Sequence, residues 1–203
     1  MEQGLFLSML GFLWVAAITP GPNNMLLTSS GANFGFVRSI PVMVGIMAGM
    51  QTLLLCVSLG IGGLLLAMPS LHTTLKVLGS AYLLWLSWKI ATARYEELDA
   101  SEKETAQPVK FYQGLLLQFL NPKAWLMGLG AIASFSLSGS AYVASIWAIS
   151  FGMLLVNLVS GLIWLGFGTV IGRLLHSRRS WKIFNLSMGI LTAACVFLFG
   201  ISG

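Results

Sequence analysis

The sequence Thr19-Pro20-Gly21-Pro22-Asn23-Asn24 interrupts Gln3 to Val37, a stretch that contains no charged residue. That stretch is long enough to cross a bilayer, which takes about 20 apolar residues at about 1.5 Å each. Yet Pro20 and Pro22 each remove a backbone donor and crowd the preceding turn, and Gly21 loosens the chain between them. The carbonyls near Ala16 to Ile18 are therefore expected to lose their helical partners. In hydrocarbon such groups are costly unless protein, water or a ligand meets them. The first span thus reads as a broken helix, and the rest of the chain is read from it.

Of the 203 residues, 57% are hydrophobic and 8% charged, with a mean hydropathy of +0.86. A soluble domain carries about 25% charged residues, so this chain must use lipid as its solvent. A cytosolic enzyme, a secreted disulfide scaffold and a disordered segment are excluded. The net charge of +5 is spread thinly and forms no basic stripe, so no nucleic-acid partner is expected. Cys56 and Cys195 both lie in apolar stretches and read as small buried hydrophobes. His72 and His176 fall in loops on opposite sides, so neither a metal site nor any other cofactor is expected. The only early charge is Glu2, which leaves no basic leader region, and the N-terminus reads as a retained first span.

Dividing the neutral stretches at charges and turn clusters predicts an all-α membrane protein with six transmembrane helices, near 5–29, 40–66, 71–91, 112–134, 142–170 and 182–202. The cluster Ser136-Leu137-Ser138-Gly139-Ser140 separates the fourth from the fifth. Continuous apolar runs, not alternation, argue against a β-barrel. Loops after helices one, three and five carry Arg38, then Lys89, Arg94, Lys103 and Lys110, then Arg173, Arg178, Arg179 and Lys182. The opposite side has only Lys76. The positive-inside bias therefore puts those three loops in the cytoplasm and both termini outside. Trp85 and Trp88 beside Lys89, and Trp181 beside Lys182, read as interfacial anchors.

Three helices precede the central charged loop near 89–110 and three follow it. The single domain, 1–203, then divides into halves of about 1–95 and 108–203. An odd number of helices in each half makes any repeat between them inverted. The run Glu96, Glu97, Asp99, Glu102 and Glu104 reads as a solvated linker between them. Helix four carries a second interruption, Gln118-Phe119-Leu120-Asn121-Pro122-Lys123. One proline kink is ordinary in a membrane helix, but paired breaks in inverted halves are expected where helices line a substrate site.

Lys123 falls roughly 18 Å into helix four, near the middle of a core about 30 Å thick. A buried ammonium costs at least about 2.5 kcal/mol on insertion scales, and no predicted span holds an Asp or Glu to meet it. Carbonyls released by Pro20, Pro22 and Pro122, or a substrate carboxylate, are the candidate partners. Gln118 and Asn121 share a face at i, i+3, while Gln51, Asn157, Ser160 and Asn185 serve as interhelical glue or solute contacts. Gly45 and Gly49 form a close-packing GxxxG pair.

With these residues in view, the chain resembles the LysE/RhtB family of bacterial amino-acid exporters over essentially its whole length. The carriers are Thr19 to Asn24 with Gly35 and Arg38, Gly79 to Lys89 (GSAYLLWLSWK), and Leu120-Asn121-Pro122-Lys123. The middle motif, continued as Trp88-Lys89-Ile90-Ala91-Thr92, looks most like the cysteine/O-acetylserine exporter branch. The resemblance implies a six-helix inverted-repeat homodimer of the bacterial inner membrane, exporting small L-amino acids or derivatives and coupled to the proton gradient. Some members have an acidic residue where this chain has Asn23 or Asn157. A neutral site with one Lys suits a zwitterionic solute better than lysine or arginine, and leaves Lys123 as the group for proton coupling.

The expected solute site is therefore Thr19, Pro20, Gly21, Pro22, Asn23, Asn24, Gln118, Asn121, Pro122, Lys123 and Asn157. Two other classes remain as alternatives. A membrane thiol–disulfide oxidoreductase would need Cys56 and Cys195 at the breaks, from which both lie far in sequence. A divalent-metal exporter would need clustered ligands inside the spans.

Overall fold

A computed structural model of the chain describes residues 2–60, 69–93, 108–175 and 177–200. Nearly all of them are helical, and no strand forms among them. The first apolar stretch is two helices, α1 (Gln3–Ile18) and α2 (Pro22–Phe34), bent by 56° where one span was expected at 5–29. Gly35 joins α2 to α3 (Phe36–Ser58) in a single residue at φ +78°, a backbone region that favours glycine. Then come α4 (Pro69–Ala91), α5 (Phe111–Leu120), α6 (Pro122–Phe135), α7 (Tyr142–Leu174) and α8 (Arg178–Gly200). The expected helix at 112–134 is thus also two, parted at Asn121. A short 3-10 turn at Gly139–Ala141 lies in the predicted break between α6 and α7.

α3 and the segment Gly139–Leu174 are each long and apolar enough to cross a membrane, and α1 with α2 forms a third candidate. Lipid-type surfaces accompany them: Trp147, Phe151, Val143 and Leu174 on α7 are exposed, as are Val77, Leu84 and Trp88 on α4. The acidic run of the central loop, with Arg94 and Lys103, lies outside the described residues. So do His176 and the side chains of His72 and Lys76, whereas the helix expected at 40–66 ends at Ser58, with Leu59 as its cap and Gly60 at φ +92°.

The most extensive pairings are α2 with α7, α3 with α5, and α4 with α8. Small residues allow them. Gly168 packs directly on the Thr28 carbonyl, and Gly45 on that of Phe111; a Cβ at Gly49 would fall 2.5 Å from the Leu115 carbonyl. The GxxxG pair is therefore a seam between α3 and α5. Polar glue works as expected at two places. Ser150 Oγ donates to Gln51 Oε1 at 2.6 Å, and Asn185 Nδ2 donates to the Ala93 carbonyl at 3.0 Å. Trp181 differs from its reading as a lipid anchor: it is buried, and its Nε1 donates to the Leu175 carbonyl at 2.9 Å, closing the end of α7.

Two apolar clusters form the core. One gathers Met9 and Leu13 of α1, Leu53 of α3, Ala131 of α6 and Met153 of α7. The other gathers Leu26 and Leu27 of α2, Ile46 of α3, Leu83 and Leu86 of α4, Leu117 of α5 and Leu165 of α7. Both helix breaks fall at the boundary between these clusters, where polar groups collect.

Candidate functional site

The two breaks are built alike. Pro22 occupies the first turn of α2 and Pro122 the first turn of α6, positions where the missing N–H would have no partner anyway. Each proline therefore starts a helix instead of kinking one. The Asn121 side chain caps α6, accepting from the Lys123 backbone N–H at 3.1 Å. α2 has no capping side chain on Gly21.

The stub of α1 is served locally. Asn24 Nδ2 donates to the carbonyls of Ala17 at 2.9 Å and Thr19 at 2.8 Å, and Ser160 Oγ on α7 also reaches Ala17 at 3.0 Å. The Thr19 hydroxyl folds back on Val15 and Ala16. The freed carbonyls of Ala16 and Ala17 are thus met by short polar side chains, and Lys123 does not use them. Its ammonium instead donates to the Thr19 carbonyl at 2.6 Å, the Thr19 hydroxyl at 2.9 Å and the Pro20 carbonyl at 3.4 Å. This places a cation at the C-terminal end of α1, the negative end of its dipole. The contact is close because Gly21 has no side chain: a Cβ there would lie 3.0 Å from Lys123 Cδ and 3.1 Å from Nζ.

Asn23 and Gln118 exchange amide hydrogen bonds at 2.9 and 3.0 Å, and Gln118 also donates to the Gly114 carbonyl at 3.0 Å. Asn121 Nδ2 adds a long contact to Asn23 Oδ1 at 3.4 Å. Gln118 and Asn121 do meet, but on Asn23 and not through helical spacing, because Asn121 lies beyond the end of α5 with φ −100°. The result is an amide cluster that ties α2 to α5.

Beside it lies a cavity of about 30 Å³, bordered by Gly21, Asn23, Asn24, Asn121, Lys123 and Asn157. That volume suits a water or two. Ala17, Met50, Ala124 and Met127 close it on the side of one apolar cluster, and Leu27 and Ile46 on the other. Asn157 donates through Nδ2 to the Met153 carbonyl at 2.9 Å, which leaves its Oδ1 as an acceptor at the cavity wall. Thr19, Pro20, Pro22, Gln118 and Pro122 do not border the cavity; they hold or start the elements that do.

Ser160 and Gly161 also border the cavity. Their signal was present in the sequence, since they follow Asn157 at i+3 and i+4 and so share its helical face. Cys195 is buried, as expected of a small apolar residue, on α8, which packs back against α2. It is a free thiol whose Sγ contacts the Leu191 carbonyl at 3.3 Å, and neither it nor Cys56 borders the cavity. Among the described residues no group of three or more His, Cys, Asp or Glu side chains comes together.

Known proteins resemble the chain over nearly its full length. It is 32% identical over 182 residues to the cysteine/O-acetylserine efflux protein of Salmonella paratyphi A, covering 89% of this chain and 90% of the relative. Its identity to the protein of the same name from Escherichia coli strain K12 is 30%, with the same coverage. No solved structure matches. The family model for LysE type translocators matches residues 14–202, which hold both breaks, Lys123 and Asn157. With its long apolar helices, this is a multi-pass membrane protein, and the chain belongs to the LysE type translocator family.

Proposed function

We propose that this chain is an inner-membrane secondary transporter that exports small neutral L-amino acids or derivatives, of the cysteine/O-acetylserine or homoserine/threonine kind. Its six spans form two inverted three-helix repeats, about 1–95 and 108–203, with both termini outside. Two features support the repeat: each half begins with a broken helix whose second piece starts at a proline, and each broken helix packs against the second helix of the other half. The relatives' names support the solute class.

The observation that carries the reading is the position of Lys123, the cation bordering a small neutral cavity at the junction of both breaks. A zwitterion has two ends to place. Its carboxylate meets Lys123 and the uncapped N-terminus of α2, where the helix dipole favours an anion. Its ammonium meets Asn157 Oδ1 and the remaining carbonyl edge of the α1 stub.

Lys123 already fills its three donor positions, so an arriving carboxylate must displace an acceptor, and the Pro20 carbonyl at 3.4 Å is the weakest held. Binding thereby loosens the tie between the α1–α2 joint and α6. The cavity has to widen to admit any amino acid, so solute binding and helix separation are one event. Proton coupling runs through Lys123, the titratable group that the solute releases from its carbonyls.

Lys123→Met tests the reading. In a strain poisoned by the exported amino acid, the variant at normal membrane abundance is expected to lose protection. Full protection would show that Lys123 has no essential role.

A further inference from the structure

A second cavity, of about 530 Å³, opens where α2 ends, α4 ends and α5 begins. It lies within the volume range of small-ligand sites, which the central cavity does not approach. Its wall carries Lys89 and Lys110 together with the rings of Tyr82, Trp85 and Tyr112. Lys89 Nζ is held 4.6 Å from the centroid of the Trp85 ring, and Trp85 is packed on Tyr82 at 5.4 Å. The Tyr82 hydroxyl is fixed in turn on the Gln113 carbonyl at 3.4 Å. An interfacial belt would spread such side chains over a convex lipid-facing surface; here they converge on a hollow.

The hollow adjoins the central site through α2. Leu26 borders the larger cavity and its neighbour Leu27 the smaller one, and both are almost fully buried. Their apolar cluster is therefore the partition between the two spaces. α2 is also unusual in burying Asn24, Thr28, Ser29 and Ser30, which gives a polar course along one helix from one cavity to the other.

We propose that the larger cavity is a cytoplasmic receiving site for the exported zwitterion, separate from the central site and occupied before it. Lys89 and Lys110 take the solute carboxylate, and the tyrosine rings cover the rest of the molecule. Once Leu26 and Leu27 part, the carboxylate passes to Lys123. This rests on the export reading and on the orientation proposed with it, since both lysines lie on the side assigned to the cytoplasm.

The test uses inside-out membrane vesicles containing the full chain, which present this cavity to the medium, and follows uptake of labelled O-acetyl-L-serine over a concentration series. Replacing both lysines by glutamine (Lys89→Gln with Lys110→Gln) is expected to raise the half-saturating concentration about five- to tenfold, the loss of two exposed ion pairs, with the maximal rate within about twofold. Arginine at both positions keeps the charges that set topology and is expected to restore the wild-type value. Should the double glutamine variant fail to accumulate, Lys110→Gln alone, at an exposed position, is expected to give about a threefold rise. Unchanged half-saturation with normal uptake means a membrane belt only and overturns this inference alone. No uptake of any neutral amino acid by the wild type overturns the export reading, and this inference with it.

Discussion

Substituting Gly21 by alanine separates the position of the Lys123 ammonium from its presence. The new Cβ would lie 3.0 Å from Lys123 Cδ and 3.1 Å from Nζ, against about 3.5–4.0 Å for comfortable carbon contacts. The Lys123 side chain must therefore retreat by about 0.5 Å. Its bonds to Thr19, now 2.6 and 2.9 Å, would stretch toward or past the edge of the hydrogen-bonding range at about 3.2 Å. A charge-assisted bond is worth about 1.5–3 kcal/mol, so losing most of one costs about tenfold in any step that depends on it.

The backbone at residue 21 should not object, because φ −175° and ψ 178° are extended values open to alanine. Removing a glycine also restricts the unfolded chain, which favours the folded state by up to about 1 kcal/mol. The expected result is normal abundance and thermal stability in detergent, with efflux reduced about tenfold in whole cells. Gly11→Ala is the control, since nothing lies within 4 Å of its added Cβ. If Gly21→Ala exports at the wild-type rate with an unchanged half-saturating concentration, the contact between residue 21 and the ammonium has no part in transport.

Three further outcomes are expected. Asn23→Ala and Gln118→Ala should each cost about 1–3 kcal/mol, because either strips the remaining amide of its reciprocal bonds, and the double variant should cost far less than their sum in a detergent melting cycle. Gly168→Val should sharply reduce membrane abundance, since its side chain would be driven into the Thr28 carbonyl, which cannot give way as a flexible side chain would. Reporter fusions after residue 203 should be active on the outer side of the inner membrane, as the skewed distribution of Lys and Arg requires; activity in the cytoplasm would reverse the orientation.

The breaks were legible because proline acts locally. Thr19 to Asn24 and Asn121 to Lys123 end one helix and start the next whatever surrounds them, and the turn at Ser136 to Ser140 is equally local. The packing role of Gly45 and Gly49 was legible as spacing, although not the partner helix. What sequence could not give was the pairing of groups distant along the chain. Freed carbonyls at Ala16 and Ala17 suggested a cation, but the Thr19 hydroxyl meets the first and the short, buried Asn24 and Ser160 meet the second, so the longer lysine reaches past to Thr19 and Pro20. Trp181 beside Lys182 carries the composition of an interfacial anchor, and only the fold shows its indole turned onto the end of α7.

The small central cavity has a consequence for selectivity. A preformed mould rejects a wrong solute by clash, but a pocket the size of a water has no outline to enforce. If the proposed site is the transport site, each solute makes its own room by parting Met50, Met127, Leu27 and Ile46, and every additional methylene parts them further. Discrimination by size then takes the form of a gradient, with no sharp cut-off.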